Sequence, residues 1–225
     1  MKIRLRPVGA LVLTMAVCAS APVWAQSGDQ IAVVINESSP DSIQIGEYYV
    51  RQRAVPASNV IRIRTAPDDV VERSTFTNEI EAPISAALGE ARLQDRILYI
   101  VLTKGIPLRI AGTGGREGTT ASVDSELTLL YRKMVGEVVL TRGSIENPYF
   151  LGTRAVKDAR PFSHRDQDIF LVSRLDGFTA ADAMRMVDRC SAVSPGGHVV
   201  LDQRGEVANR LADAWLDAAA SKLQV

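Results

Sequence analysis

Six consecutive residues, Ile97 to Leu102 (ILYIVL), carry neither a charge nor a turn former. A strand with one wet face alternates apolar and polar residues, so an unbroken run of this kind predicts a strand covered on both faces. Ile31 to Ile35 (IAVVI) has the same character and ends at Asn36, and Val60 to Ile63, Ile169 to Ser173 and His198 to Leu201 add three shorter runs. Helical signals fill the gaps between them. Ser39 is placed to cap, Pro40 suits the first helical position, and Asp41 suits the positive helix end of a segment reaching about Arg53. Phe76, Ile80, Ile84 and Leu88 recur every four residues in a second helix opened by Ser74 or Thr75, where Pro83 is expected to kink or restart the helix. Thr179 with Asp182 forms a capping box for a helix to about Ala192, and Leu211, Trp215, Ala219 and Leu223 mark one face of a last helix. Parallel neighbours need crossover connections, and here helices supply them. The predicted fold is therefore α/β: a mostly parallel sheet of about five strands with helices on both faces.

The stretch from about 111 to 161 breaks the alternation. It holds a turn rich in glycine (Gly112, Gly114, Gly115, Gly118), a helical patch from about Ser125 to Met134, and a loop around Asn147-Pro148-Tyr149. We expect an irregular insertion packed over the edge or crest of the sheet. The glycines do not form a phosphate loop: the Walker order of Lys then Ser or Thr is missing, and Gly112-x-Gly114-x-x-Glu117 lacks the third glycine of the dinucleotide fingerprint.

The first 25 residues read as an export signal. Lys2, Arg4 and Arg6 precede an apolar run from Val8 to Val23, and Val23-Trp24-Ala25 offers small residues at the positions a signal peptidase reads. The run is too diluted by Ala, Gly and Ser for a membrane anchor, and Val17 before Cys18 excludes a lipoprotein motif. Residues 26–225 are then one α/β domain with no membrane span after cleavage. Removing Lys2, Arg4 and Arg6 from 26 basic residues leaves 23 against 26 acidic ones. A faintly acidic chain is a poor partner for nucleic acid, which selects clustered positive charge. Cleavage also removes Cys18, leaving Cys190 alone and no internal disulfide, so the fold rests on its apolar core. Cys190 follows Met186 and Val187 at helical spacing, which predicts a buried residue rather than a nucleophile. With His164 and His198 the only histidines, neither a metal site nor a cofactor is expected.

In an open α/β sheet, ligands bind outside the carboxyl ends of the strands. The residues directly after the apolar runs are Asn36, then Thr103 and Lys104, then Arg174 and Asp176, then Asp202. Any strand leaving a core ends in polar residues, so this list is equally that of a polar pocket and of ordinary strand ends.

The segments INESSPDSIQIGEYYVRQRAVPASNVIRI, ILYIVLTKGIPLRI, SVDSELTLLYR, NPYFLG and IFLVSRLDGFTAADAMRMVD, in this order, resemble an uncharacterised family of exported bacterial proteins that co-occurs with the exosortase sorting system. That resemblance spans nearly all of residues 31–203. It implies a periplasmic or extracellular setting in bacteria that sort envelope proteins and make exopolysaccharide, and it implies no reaction. More distantly, the order of a strand, a helix beginning near Pro40, a Gly-Ile-Pro turn, an Asp-Ser segment and a strand with Arg-Leu is similar to the first subdomain of gingipain-type, caspase-like cysteine peptidases. In those enzymes the catalytic His and Cys belong to a later lobe, so no catalytic residue is carried over. Family members continue with a Trp-Gly segment, whereas neither Trp24 nor Trp215 precedes Gly here, and the chain is read as a truncated gene product or a short variant.

Strand ends, insertion and shared segments together give the candidate binding residues Asn36, Lys104, Arg109, Asp124, Glu126, Asn147, Arg174, Asp176 and Asp202. The leading expectation is an exported binding or accessory domain linked to envelope protein sorting, with an envelope protein or a small polar ligand as partner. One rival is the N-terminal part of a caspase-like hydrolase whose catalytic lobe lies elsewhere. Another is an anion-binding module using Lys104, Arg109 and Arg116.

Overall fold

A computed structural model describes residues 27–152, 158–190, 200–203, 205 and 210–223. The expected export signal lies outside them. The chain divides after Met184 into two compact units.

The first unit is built on a four-stranded sheet of β1 (Ile31–Asn36), β2 (Val60–Ile63), β4 (Tyr99–Thr103) and β7 (Leu171–Leu175), in the order β2-β1-β4-β7 and parallel throughout. The α/β class with a mostly parallel sheet is thus the observed one. A fifth strand at His198–Leu201 is not seen: His198 and Val199 lie outside the described residues, and Val200 and Leu201 are not in a strand.

β1 is central, and its residues divide by parity. Ala32 and Val34 pack with Ile61, Ile63, Ile100 and Leu102 against Phe76, Ile80, Ile84 and Leu88, whereas Val33 and Ile35 pack against Ile43, Tyr49 and Val50. The second group belongs to α1 (Pro40–Gln52). The first comes from a helical stretch of three parts, α2 (Arg73–Thr75), a π-helical segment Phe76–Glu81, and α3 (Ala82–Glu90). Pro83 stands in the first turn of α3, where its missing N–H costs little. The proline restarts the helix, and the wide π turn before it absorbs the change of register.

Helices cover both faces, as the apolar runs require. α1 also meets α6 (Ala180–Arg189) through Ile45, Ala180 and Ala183. Two glycines permit the close approaches. A Cβ on Gly46 would stand 2.5 Å from Ile35 Cγ1, and one on Gly105 would stand 2.2 Å from Ser39 Oγ at a backbone φ of +89°. Neither position accepts a side chain without displacing the residue beneath it.

A second, small sheet was not expected from the sequence. β3 (Val70–Val71) pairs in parallel with β5 (Arg109–Ile110), which pairs antiparallel with β6 (Ala121–Ser122). Two-residue strands carry no periodicity, which explains their silence in the sequence. The insertion then forms α4 (Val123–Thr128) and α5 (Leu130–Met134), matching the expected helical patch.

β7 begins two residues later than its apolar run. The Phe170 amide donates to Thr128 O at 3.0 Å, so the start of the run is tied to α4, and pairing with β4 begins at Leu171. Arg174 therefore lies within the strand, opposite Leu102, and not beyond its end.

In the second unit α7 (Arg210–Leu223) exposes Leu211 and Trp215. Cys190 is a free, exposed thiol, not a core residue. α6 ends at Arg189, and Cys190 falls in the following turn, where its amide donates to Met186 O at 3.2 Å.

Candidate functional site

The carboxyl ends of β1 and β4 meet where the chain order reverses: from β1 the chain goes first to β2 on one side, then to β4 on the other. At such a switch point the two following loops diverge and leave a crevice. Asn36, the last residue of β1, is fully buried there. Its Nδ2 donates to Thr65 O (2.9 Å) and Gly105 O (2.7 Å), and its Oδ1 accepts from the amides of Ser38 (3.1 Å) and Thr65 (3.2 Å). Both donors and both acceptor positions of the amide are used. One side chain thus fixes the loops after β1, β2 and β4 together.

Beneath it runs a directed chain of hydroxyls. Thr103 Oγ1 donates to Val34 O (2.9 Å), so Ser42 Oγ donates to Thr103 Oγ1 (2.5 Å) and accepts from the Asn36 amide (2.7 Å). Each hydroxyl has one proton, which leaves this as the only consistent order. α1 is positioned by the same group, because Ser39 caps it by accepting from the Ser42 amide at 3.3 Å.

The turn Lys104–Pro107 is held from its other side by β7. The Arg174 guanidinium donates to Ile106 O (2.6 Å) and Pro107 O (2.9 Å) and makes a two-pronged pair with Asp124 (3.3 and 2.9 Å). Lys104 Nζ meets Asp176 Oδ1 at 3.1 Å and Gly177 O at 2.8 Å. Five of the sequence candidates, Asn36, Lys104, Asp124, Arg174 and Asp176, therefore converge on one turn. They do so mostly by gripping it. The open part of the crevice, a volume of about 210 Å³, is lined by Asp41, Asp68 and Asp69 with Lys104 and Asp176. Four carboxylates face one ammonium, which is itself paired.

Asp68 and Asp69 are not among the residues the sequence singles out, and Asp41 stands there only as a helix-end residue. The signal was available: residues after the Val60–Ile63 run belong to the same edge, and following that run out leads to Pro67-Asp68-Asp69. Among the described residues no group of three or more His, Cys, Asp or Glu is arranged to hold a metal ion.

Glu126 and Asn147 come together elsewhere, in a cleft of about 410 Å³ between the glycine-rich loop and the 141–148 loop, with α4 as one wall and Ile169 in the lining. The Gly143 amide donates to Gly118 O at 2.9 Å and ties the two loops. Glu126 is only 3% exposed. Arg73 Nη1 reaches its Oε1 at 2.7 Å, while Oε2 accepts no hydrogen bond and stands 3.9 Å from Lys133 Nζ. Lys133 is also paired with Glu81.

The remaining candidates join neither group. Arg109 is exposed on β5, opposite Ser122. Asp202 is exposed and belongs to the second unit. Arg116, of the anion-binding alternative, is exposed on the glycine-rich loop.

His164 has a structural environment. Its ring stacks on Tyr131 at 3.8 Å between centroids and meets Phe162 and Phe170 edge-on. Nε2 lies 2.6 Å from Ile97 O, and a carbonyl only accepts, so Nε2 carries the proton. The Tyr131 hydroxyl donates to Asp95 at 2.9 Å; burial, then this bond and the charge of Asp95, push its pKa up from 10.0 to about 12. The two-pronged bond from Arg132 to Asp168 (2.7 and 2.9 Å) raises the guanidinium pKa further.

Comparison of the chain with protein-family models, with curated proteins and with solved structures gives no match. Among the described residues no helix is long and apolar enough to cross a membrane.

Proposed function

We propose that this chain is an exported binding or accessory domain of the bacterial envelope, the setting implied by its resemblance to the exosortase-associated family. Its ligand is a protein segment or small molecule bearing a cationic group, held in the crevice beyond β1 and β4. The observation that carries this reading is the charge of the crevice: Asp41, Asp68 and Asp69 face it together with the Lys104–Asp176 pair. A cation entering there meets three carboxylates whose charge no neighbouring cation in the lining cancels. The surrounding loops are already fixed by Asn36 and Arg174, so binding loses little to loop ordering.

The same charge count disfavours the anion-binding alternative, because the one crevice lysine is occupied by Asp176 and Gly177 O. Calorimetric titration of the purified protein with trilysine and with triglutamate tests the reading. Trilysine is expected to bind saturably, to weaken as salt is raised through the range where a Debye length falls from about 10 Å to 3 Å, and to weaken in the double variant Asp68→Asn/Asp69→Asn. Triglutamate is expected not to bind. Equal trilysine binding by the double variant would overturn the assignment. Export is checked separately: the protein recovered from the native envelope is expected to begin at Gln26, and a full-length N-terminus on the recovered protein would contradict cleavage.

A further inference from the structure

The two edges of the central sheet are finished differently. A parallel ladder uses alternate residues of an edge strand and turns the backbone groups of the others outward. At the β2 edge those outward groups are accompanied by charge. Arg62 is exposed and meets Glu47 at 3.3 Å and Glu37 at 4.0 Å, and Arg64, just past the strand, pairs with Glu37 at 2.9 Å. Charged side chains of this kind keep an edge from pairing with another chain. β7 has no such guard. Its one charged residue, Arg174, turns inward to Asp124 and to the carbonyls of Ile106 and Pro107, with its side chain 11% exposed.

The bonds to β4 fix which groups of β7 are left over. The Leu171 amide donates to Leu98 O and the Lys104 amide donates to Leu175 O, both at 2.9 Å, so Leu171, Ser173 and Leu175 bond to β4. The N–H and C=O of Val172 and Arg174 point the other way, and among the described residues no backbone group meets them. At the start of this edge the Phe170 amide is already held by Thr128 O. Ser173, at the middle of the strand, is exposed, and the leucines two residues to either side are half-buried on the same face of the sheet.

We propose that the β7 edge is a self-association surface: two copies of this chain pair antiparallel through β7 about a two-fold axis at Ser173, joining their sheets into one. In this register Val172 stands opposite Arg174 of the second copy, and Leu171 opposite Leu175. The residues with free backbone groups thus form the hydrogen-bonded pairs. The serine and leucine pairs fall at the other positions, where side chains approach most closely. Serine is small enough to meet its own copy on the axis, and each leucine covers the open side of the other. Neighbouring registers are worse. Sliding the copy two residues one way sets Arg174 against Phe170, whose amide is taken; sliding it two residues the other way sets Arg174 against Arg174. A shift by one residue puts free backbone groups opposite groups already bonded to β4.

Sedimentation equilibrium of the purified protein from micromolar to millimolar concentration tests the proposal, with urea unfolding as a check that each variant is folded. The wild type is expected to show a monomer–dimer equilibrium. Ser173→Lys and Ser173→Asp, at a position exposed in the single copy, are each expected to weaken the dimer at least about tenfold, because like charges then meet on the axis. Mixed in equal amounts, the two variants are expected to associate again, with Lys facing Asp. The proposal is overturned if the wild type stays monomeric at millimolar concentration, if both variants dimerise as the wild type does, or if the mixture of folded variants fails to associate.

Discussion

The strand-end crevice and the cleft beside α4 are built from the same kinds of side chain in opposite states of completion. At the strand ends Asn36 makes four side-chain hydrogen bonds, Ser42 and Thr103 form a directed chain, and Arg174 closes two carbonyls and a carboxylate. In the cleft Glu126 is nearly as buried as Asn36, yet one of its oxygens is unmet. The comparison separates two meanings of a buried polar residue. A satisfied one specifies the fold, and its loss is felt in stability. An unsatisfied one carries a desolvation cost that no donor offsets.

Substitutions break this contrast at different depths. Asn36→Ala strands up to four backbone groups in three loops, at about 1–3 kcal/mol for each that finds no water. The expected loss is at least about 3 kcal/mol by urea unfolding, and a loss under about 1 kcal/mol would mean that the amide does not hold the crevice together. Arg174→Met leaves the carbonyls of Ile106 and Pro107 and the Asp124 carboxylate without their donor; about 2–3 kcal/mol is expected in the same experiment. Tyr131→Phe, on α5, removes one bond to Asp95, for about 1 kcal/mol at neutral pH.

The wild-type tyrosine carries a pH signature as well. Its folded-state pKa, about 12, lies above the unfolded value of 10.0, so its contribution is complete below pH 10 and is lost as pH rises through 12. Denaturant midpoints measured across that window are expected to fall more steeply for the wild type than for Tyr131→Phe. Lys104→Met breaks a partly exposed pair and is expected to cost under about 1 kcal/mol.

The central sheet was legible because its cause is local in sequence. Strands buried on both faces have no choice but unbroken apolar runs; β1 and β2 lie where their runs place them, and β4 begins two residues into ILYIVL, at Tyr99. The caps of α1 and α6 were equally plain, since Ser39 and Thr179 act on residues three positions away. What the sequence withheld depends on partners far along the chain. The start of β7 is set by Thr128, 42 residues from Phe170, and so the same apolar run yields a strand displaced by two residues. The small β3-β5-β6 sheet exists only because loops distant in sequence meet.

The candidate residues divide along the same line. That Asn36, Lys104 and Asp176 share an edge followed from a parallel sheet alone. That they grip the Lys104–Pro107 turn, leaving the open crevice to Asp41, Asp68 and Asp69, required the loops themselves. Glu126 and Asn147 were named for their place in the insertion, and nothing in their spacing announced that they line one cleft. Cys190 shows the converse error: helical spacing predicted burial, but Met186, one turn before it on α6, is itself exposed, and the thiol on that face is exposed with it.

The most direct measurement of the account is an amide-resolved NMR titration of the purified protein with trilysine. The resonances of Ser39, Asp41, Asp68, Asp69 and Gly105 are expected to move together along one saturable curve and to stay still in Asp68→Asn/Asp69→Asn. A titration that moves none of them, or moves them equally in the double variant, would contradict a cation site at the carboxyl ends of β1 and β4.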